Sequence, residues 1–225
     1  MKKITAIVFF VTGIITVSFA QISGGPKAGA NFSNFYLDTS LEGNQYKIGF
    51  NAGGFFNYEF NDNFSVQPEI AFSSKGSKIK YETTGPISKT EITADYTINY
   101  IDIPLLFQCK LKTGSFFCVG PQLSMLAKVN YKYEAVTAIT GQPTQTVSFE
   151  SGDKDGLNTV DFALAVGTGY QSESGINFSL RANFGLADVF PDDGDSQTKI
   201  LCFQAALGYA FGYRAGRSGY KKSRR

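Results

Sequence analysis

The chain contains no histidine. The usual hydrolytic arrangements need an imidazole as general base, so they have no base here. Zinc chemistry also loses its commonest nitrogen ligand. Cys109, Cys118 and Cys202 are an odd set without C-x-x-C spacing, which indicates neither a zinc site nor a disulfide framework. Cys109 and Cys118 flank a hairpin and fall on opposite faces of it, and the cysteines read as small buried side chains. Gly167-Thr168-Gly169 is too short for a dinucleotide loop. Asp153, Asp155 and Gly156 open like a calcium loop, but Leu157 stands at position five and no glutamate closes it. Asp192, Asp193 and Asp195 form a second acidic run, and a surface turn is the expectation for both. No residue set argues for catalysis, a cofactor or a metal.

A different group of polar residues becomes meaningful through the elements that hold it. Tyr46, Ile48, Phe50, Phe56, Tyr58 and Phe60 occupy even positions, while Lys47, Gly49, Asn51, Asn57 and Glu59 occupy odd ones. Successive side chains of a strand point to opposite faces, so this segment has one apolar and one polar or small face. The same period of two recurs over 26–35, 46–60, 64–73, 101–111, 117–125, 160–170, 176–184 and 201–211. Eight such segments predict an eight-stranded antiparallel up-and-down transmembrane β-barrel, all-β in class. Three connections are short, around Asn61–Asn63, Lys112–Ser115 and Gln171–Gly175. Four are long, over 36–45, 74–95, 130–157 and 187–197, and are expected to be loops. Short periplasmic turns opposite long outer loops are the asymmetry of membrane barrels.

The chemistry of the polar face decides between a membrane and a soluble barrel. A water-facing surface would be rich in charge. Here it is mainly Gly, Ala, Ser, Asn and Gln, and eight strands leave an interior just wide enough for side chains to fill. Glu59, Gln67, Glu69, Asp102, Gln122, Lys128, Asp161 and Arg181 are therefore expected to form a polar network in a packed lumen. Arg181 would pair with Glu59, Glu69 or Asp161. Tyr46, Phe60, Phe64, Tyr170, Tyr209 and Phe211 would form the interfacial aromatic girdles. Pro68, Pro104 and Pro121 fit a closed wall poorly, since proline breaks the ladder, and bulges are expected there.

Lys2, Lys3, the apolar run to Phe19 and the small residues Ser18 and Ala20 read as a signal peptide over 1–20, cleaved before Gln21. The barrel would then occupy 21–213. Six of the 21 basic residues lie in 214–225 and two in the leader, leaving 13 against 19 acidic residues in the body. An acidic body gives no nucleic-acid surface. The basic segment 214–225 reads as a disordered tail, either solvated or lying against anionic headgroups.

Four short motifs also resemble a known family. They are Lys27-Ala28-Gly29-Ala30-Asn31-Phe32-Ser33, Gln67-Pro68-Glu69 with Ser74-Lys75-Gly76, Tyr100-Ile101-Asp102-Ile103-Pro104-Leu105-Leu106, and Gly120-Pro121-Gln122. In these the chain resembles the PorT-like outer-membrane β-barrels of Bacteroidota. The resemblance implies a barrel of about eight strands with no enzymatic activity. Such barrels often end on an aromatic residue, whereas here twelve residues follow Tyr213. The expected role is structural or interactive at the cell surface, as a monomer in outer-membrane lipid, with segments 74–95 and 130–157 meeting a protein partner. A small-ligand transport barrel is the alternative, and a soluble periplasmic lipocalin-like binder a more distant one.

Overall fold

The computed structural model describes residues 22–37, 43–154, 156–191 and 197–213. Alternating side-chain types produce nine strands: β1 (Ile22–Leu37), β2 (Asn44–Glu59), β3 (Phe64–Thr84), β4 (Ser88–Lys110), β5 (Ser115–Ile139), β6 (Gln145–Ser151), β7 (Val160–Gln171), β8 (Ile176–Gly185) and β9 (Thr198–Tyr209). All pairings between them are antiparallel. β1 to β5 pair in sequence, β5 pairs with β7, β7 with β8, β8 with β9, and β9 returns to β1. The result is a closed ring of eight, with β6 outside it on β5. The segments 1–20 and 214–225 lie outside the described residues, as do Asp155, Asp192, Asp193 and Asp195.

The wall is inverted relative to a water-soluble protein. Ile48 on the outer face is 70% exposed, whereas Asn31 on the inner face is 0% exposed. Phe32, Phe56, Ile70, Phe117, Phe162 and Leu207 join Ile48 outside; Ser33, Ser73 and Ser124 join Asn31 inside. Each large apolar side chain left in water forgoes about 1.5–3 kcal/mol of burial, so this surface is stable against hydrocarbon and not against water. Closure supplies the other requirement, because an open edge in lipid would strand backbone donors and acceptors.

The three short connections are tight turns. Asn61 Oδ1 accepts from the amides of Asn63 and Phe64, both at 2.9 Å. Gly114 and Gly175 adopt positive φ (89° and 93°), where a Cβ would meet the Gln171 and Ala210 carbonyls at 2.7 Å.

The opposite end corrects two expectations. Segments 74–95 and 130–157 are mostly strand and not loop: β3 runs to Thr84, β4 starts at Ser88, β5 reaches Ile139, and β6 adds a further strand. These four strands continue as a blade. One face carries the row Ile79, Ala94, Tyr133, Phe149 and the row Tyr81, Ile92, Ala135, Val147. The other carries Lys78, Asp95, Lys132, Glu150 in one row. On β4 the apolar positions are odd from Ile101 to Phe107 and even from Ile92 to Tyr100. Even positions still face inward across the change, with Ile98, Tyr100 and Asp102 all buried, so the strand keeps its facing while the chemistry of its two faces exchanges.

The prolines are not at bulges. Register is the same on both sides of Pro68, Pro104 and Pro121. Each lies instead in a two-residue gap in the ladder, at 67–68 against 56–57, 103–104 against 69–70, and 120–121 against 105–106. The missing proline N–H interrupts pairing without changing count. The three gaps sit on successive strand interfaces. The true bulges are in β2 between Tyr46 and Asn51 and in β5 opposite Asn99 and Tyr100.

Candidate functional site

The lumen is filled in layers. Nearest the blade, Phe35, Ile98, Tyr100, Val129, Val189, Ile200 and Cys202 form a buried apolar plug, against which Tyr96 and Phe190 pack. Below it β3 reaches inward past β2 to β1, where the β2–β3 ladder is interrupted between Tyr46 and Asn51. Asn31 Nδ2 donates to the Ser74 carbonyl (2.9 Å), and Ser33 Oγ donates to the Gly76 carbonyl (2.9 Å) while accepting from the Gly76 amide (2.8 Å). Glycine is required at 76, since a Cβ would lie 1.9 Å from the Tyr96 carbonyl oxygen.

The charged layer follows. Glu69 Oε1 takes three donors: Lys27 Nζ at 3.0 Å, Arg181 at 2.8 Å and Gln67 Nε2 at 2.7 Å. Lys75 Nζ lies 2.8 Å from Asp102 Oδ2, and Ser124 Oγ donates to Asp102 Oδ1 at 2.6 Å. Gln122 Nε2 in turn donates to Ser124 Oγ at 3.1 Å. Opposite charges at such depth are tolerable because each is paired and hydrogen-bonded. Between Lys27, Asn51, Glu69, Asp102, Gln122 and Arg181 the free space is about 10 Å³. That is room for about one water molecule. Toward the short turns, Asn57, Ser65, Gln67 and Gln108 interlock at 2.9–3.2 Å. Lys110 Nζ meets Glu59 Oε1 at 2.5 Å there, beside a polar vestibule of about 370 Å³ lined also by Asp62, Tyr170, Glu173 and Tyr213. Larger apolar depressions, such as one of about 590 Å³ beside Phe32, Leu180 and Phe203, lie on the outer wall and are lined mainly by its outward-facing residues.

Of the expected network, Gln67, Glu69 and Arg181 are in contact, and Asp102 and Gln122 share Ser124. Glu69 is the partner of Arg181; Glu59 stands at the short-turn end with Lys110. Asp161 is buried and accepts from the Ala187 amide at 3.4 Å. Lys128 is not in the lumen. The β5 bulge shifts phase between Leu126 and Lys128, so Lys128 is exposed and Val129 is buried. Cys118 and Cys202 are buried, but Cys109 is exposed on the outer face. The sequence reading missed two lumen cations, Lys27 and Lys75. Lys27 stood on the polar face of the first strand, and its phase was the available signal. Lys75 lay in a segment expected to be loop.

The profile of the Outer membrane protein beta-barrel domain family matches residues 19–191. The chain belongs to that family. It is thus an outer-membrane β-barrel protein, resident in lipid. No curated protein sequence matches it. Among solved structures it is similar to Ail, the attachment invasion locus protein of Yersinia pestis, in complex with the heparin analogue sucrose octasulfate (16% identity, 85% of this chain, 99% of that chain, TM-score 0.41). Neisserial surface protein A is similar at 12% identity, covering 85% of this chain and 99% of that one with a TM-score of 0.39. OprG of Pseudomonas aeruginosa is similar at 15% identity, 84% and 94% coverage, and a TM-score of 0.34.

Proposed function

We propose that this outer-membrane barrel is a non-enzymatic, monomeric surface protein of the PorT-like type, which works through its protruding blade and not through a pore. The packed lumen is the observation that carries this reading: the charged layer leaves about 10 Å³ and is roofed by the apolar plug. The motifs that carry the PorT-like resemblance contribute to this filling. They supply Lys27, Asn31 and Ser33; Gln67, Glu69 and Lys75; Asp102; and Gln122. The lumen network is in this reading a stiffener, and the functional surface is the blade, whose exposed Tyr81, Val147 and Phe149 have no role in a lipid-facing wall. In this reading residues 1–20 are the cleaved signal peptide, and 214–225 a basic tail.

Two measurements test the reading. Purified barrel in planar bilayers is expected to give no conductance steps, and a stable open channel would favour the transport alternative. Replacing 78–95 and 132–150 by short turns joins positions that already pair, Ser77 to Tyr96 and Tyr131 to Ser151. The trimmed barrel is expected to stay folded and to reproduce the phenotype of the null strain. Wild-type behaviour of that strain would refute a working blade.

A further inference from the structure

Resting on the blade as the functional surface, we infer that strand β6 is the docking edge for an extended polypeptide, which adds to the sheet as a further strand and carries a basic residue facing Glu150. Among the described residues β6 pairs with β5 alone, so its other edge presents unpaired backbone groups. Natural edge strands are blunted by lysine, proline, bulges or cover. The sequence of β6, Gln-Thr-Val-Ser-Phe-Glu-Ser, has no lysine or proline, pairs without a bulge and carries one charge, Glu150, while Val147 (64%) and Phe149 (58%) are exposed on it.

The chemistry of the partner follows from the rows that end at β6. Across the blade one row alternates in sign, Lys78, Asp95, Lys132, Glu150, with Lys132 Nζ 2.7 Å from Glu150 Oε1. The next position in that row is empty and complementary to a cation. The adjacent rows on the other face end in Phe149 and Val147, so the incoming strand places apolar side chains there. Backbone pairing gives such a contact its affinity, and alternate side chains give it specificity. A second copy fits less well. Two barrels in one membrane run β6 in the same direction, so identical edges could meet only in parallel, whereas every pairing between the named strands is antiparallel.

The test uses full-length protein in lipid nanodiscs and two capped seven-residue peptides that alternate valine with threonine. One carries lysine and the other glutamate at the position facing Glu150. The lysine peptide is expected to bind about fivefold more tightly, from the worth of a cross-strand charge pair against a like-charge pair. The double variant K132E/E150K keeps the internal pair and is expected to reverse the preference, with the barrel's heat-modifiable gel band unchanged. Replacing Val147 and Phe149 by lysine is expected to abolish binding of both peptides. Equal binding of the two peptides, binding of neither, or an unreversed preference would overturn the inference. So would concentration-dependent dimers that the lysine substitutions dissolve, since these put a second copy on the edge. If neither peptide binds while the blade-trimmed strain still behaves as the null, docking at this edge is wrong and the surface role stands. If trimming has no effect, it is the surface role that fails.

Discussion

At the residue scale the decisive group is Glu69. It holds two cations and an amide on one carboxylate oxygen, with its own side chain 5% exposed. Removing one partner of a buried pair costs about 3–5 kcal/mol, because the remaining charge is left uncompensated. Arg181→Ala is expected to fall in that range, seen as loss of the heat-resistant folded band on a gel at a lower temperature. Glu69→Gln should be worse, since it leaves both Lys27 and Arg181 without an anion. Adding Arg181→Gln to it should recover part of the loss, and strict additivity of the two would mean that they do not interact. Lys128→Ala, on the exposed face, is expected to stay within about 0.5 kcal/mol of wild type. A large loss there would return Lys128 to the lumen.

At the element scale the prolines now have a physical account. Each removes one ladder donor in an unbroken register. Pro104→Ala restores an N–H, and a net hydrogen bond is worth about 0.5–1.5 kcal/mol. It also frees the unfolded chain, at a cost of about 0.4–1 kcal/mol. The two nearly cancel, so stability is expected to change little, while amide exchange acquires a protected proton at position 104. Rapid exchange there would mean that the gap is set by wall curvature and not by proline. The blade was legible in pattern but not in meaning. Ile79 and Tyr81 alternate with Lys78 and Lys80 as cleanly as any barrel strand, and Ile92, Ala94 and Tyr96 alternate with Glu91, Thr93 and Asp95. The reversal of phase at Tyr100 and Ile101 resembles the end of a strand. It marks instead the level at which the inner face of β4 passes from the polar lumen at Asp102 to the apolar plug at Tyr100 and Ile98.

At the scale of the whole molecule, the barrel is a filled post that carries a two-faced sheet, which in the proposed reading stands above the membrane. Its lumen is closed by the apolar plug, by the crossing of β3 onto β1, and by the ion pairs of Glu69 and Asp102. These act in series, so Arg181→Ala alone is expected to weaken the barrel without opening it. Single-channel recording of that variant should remain silent at temperatures where the folded band persists. A conducting variant would show that the charged layer is the gate.

The residue order by itself determined the ring. Period-two alternation, three short turns and a polar face with few charges fix the ring strands, their order and inside-out polarity, because each is a local consequence of pleat and solvent. It also determined that Glu69, Asp102 and Arg181 face inward, since their phase is that of their strands. Only the tertiary structure decided which of them meet. Glu69 is 112 residues from Arg181 and 42 from Lys27, separations that no periodicity spans. The fate of Lys128 turned on one extra residue in β5, a bulge that shifts phase without leaving a mark in composition. The blade likewise needed cross-strand register. A row of charges ending at Glu150 exists only when four strands are laid side by side.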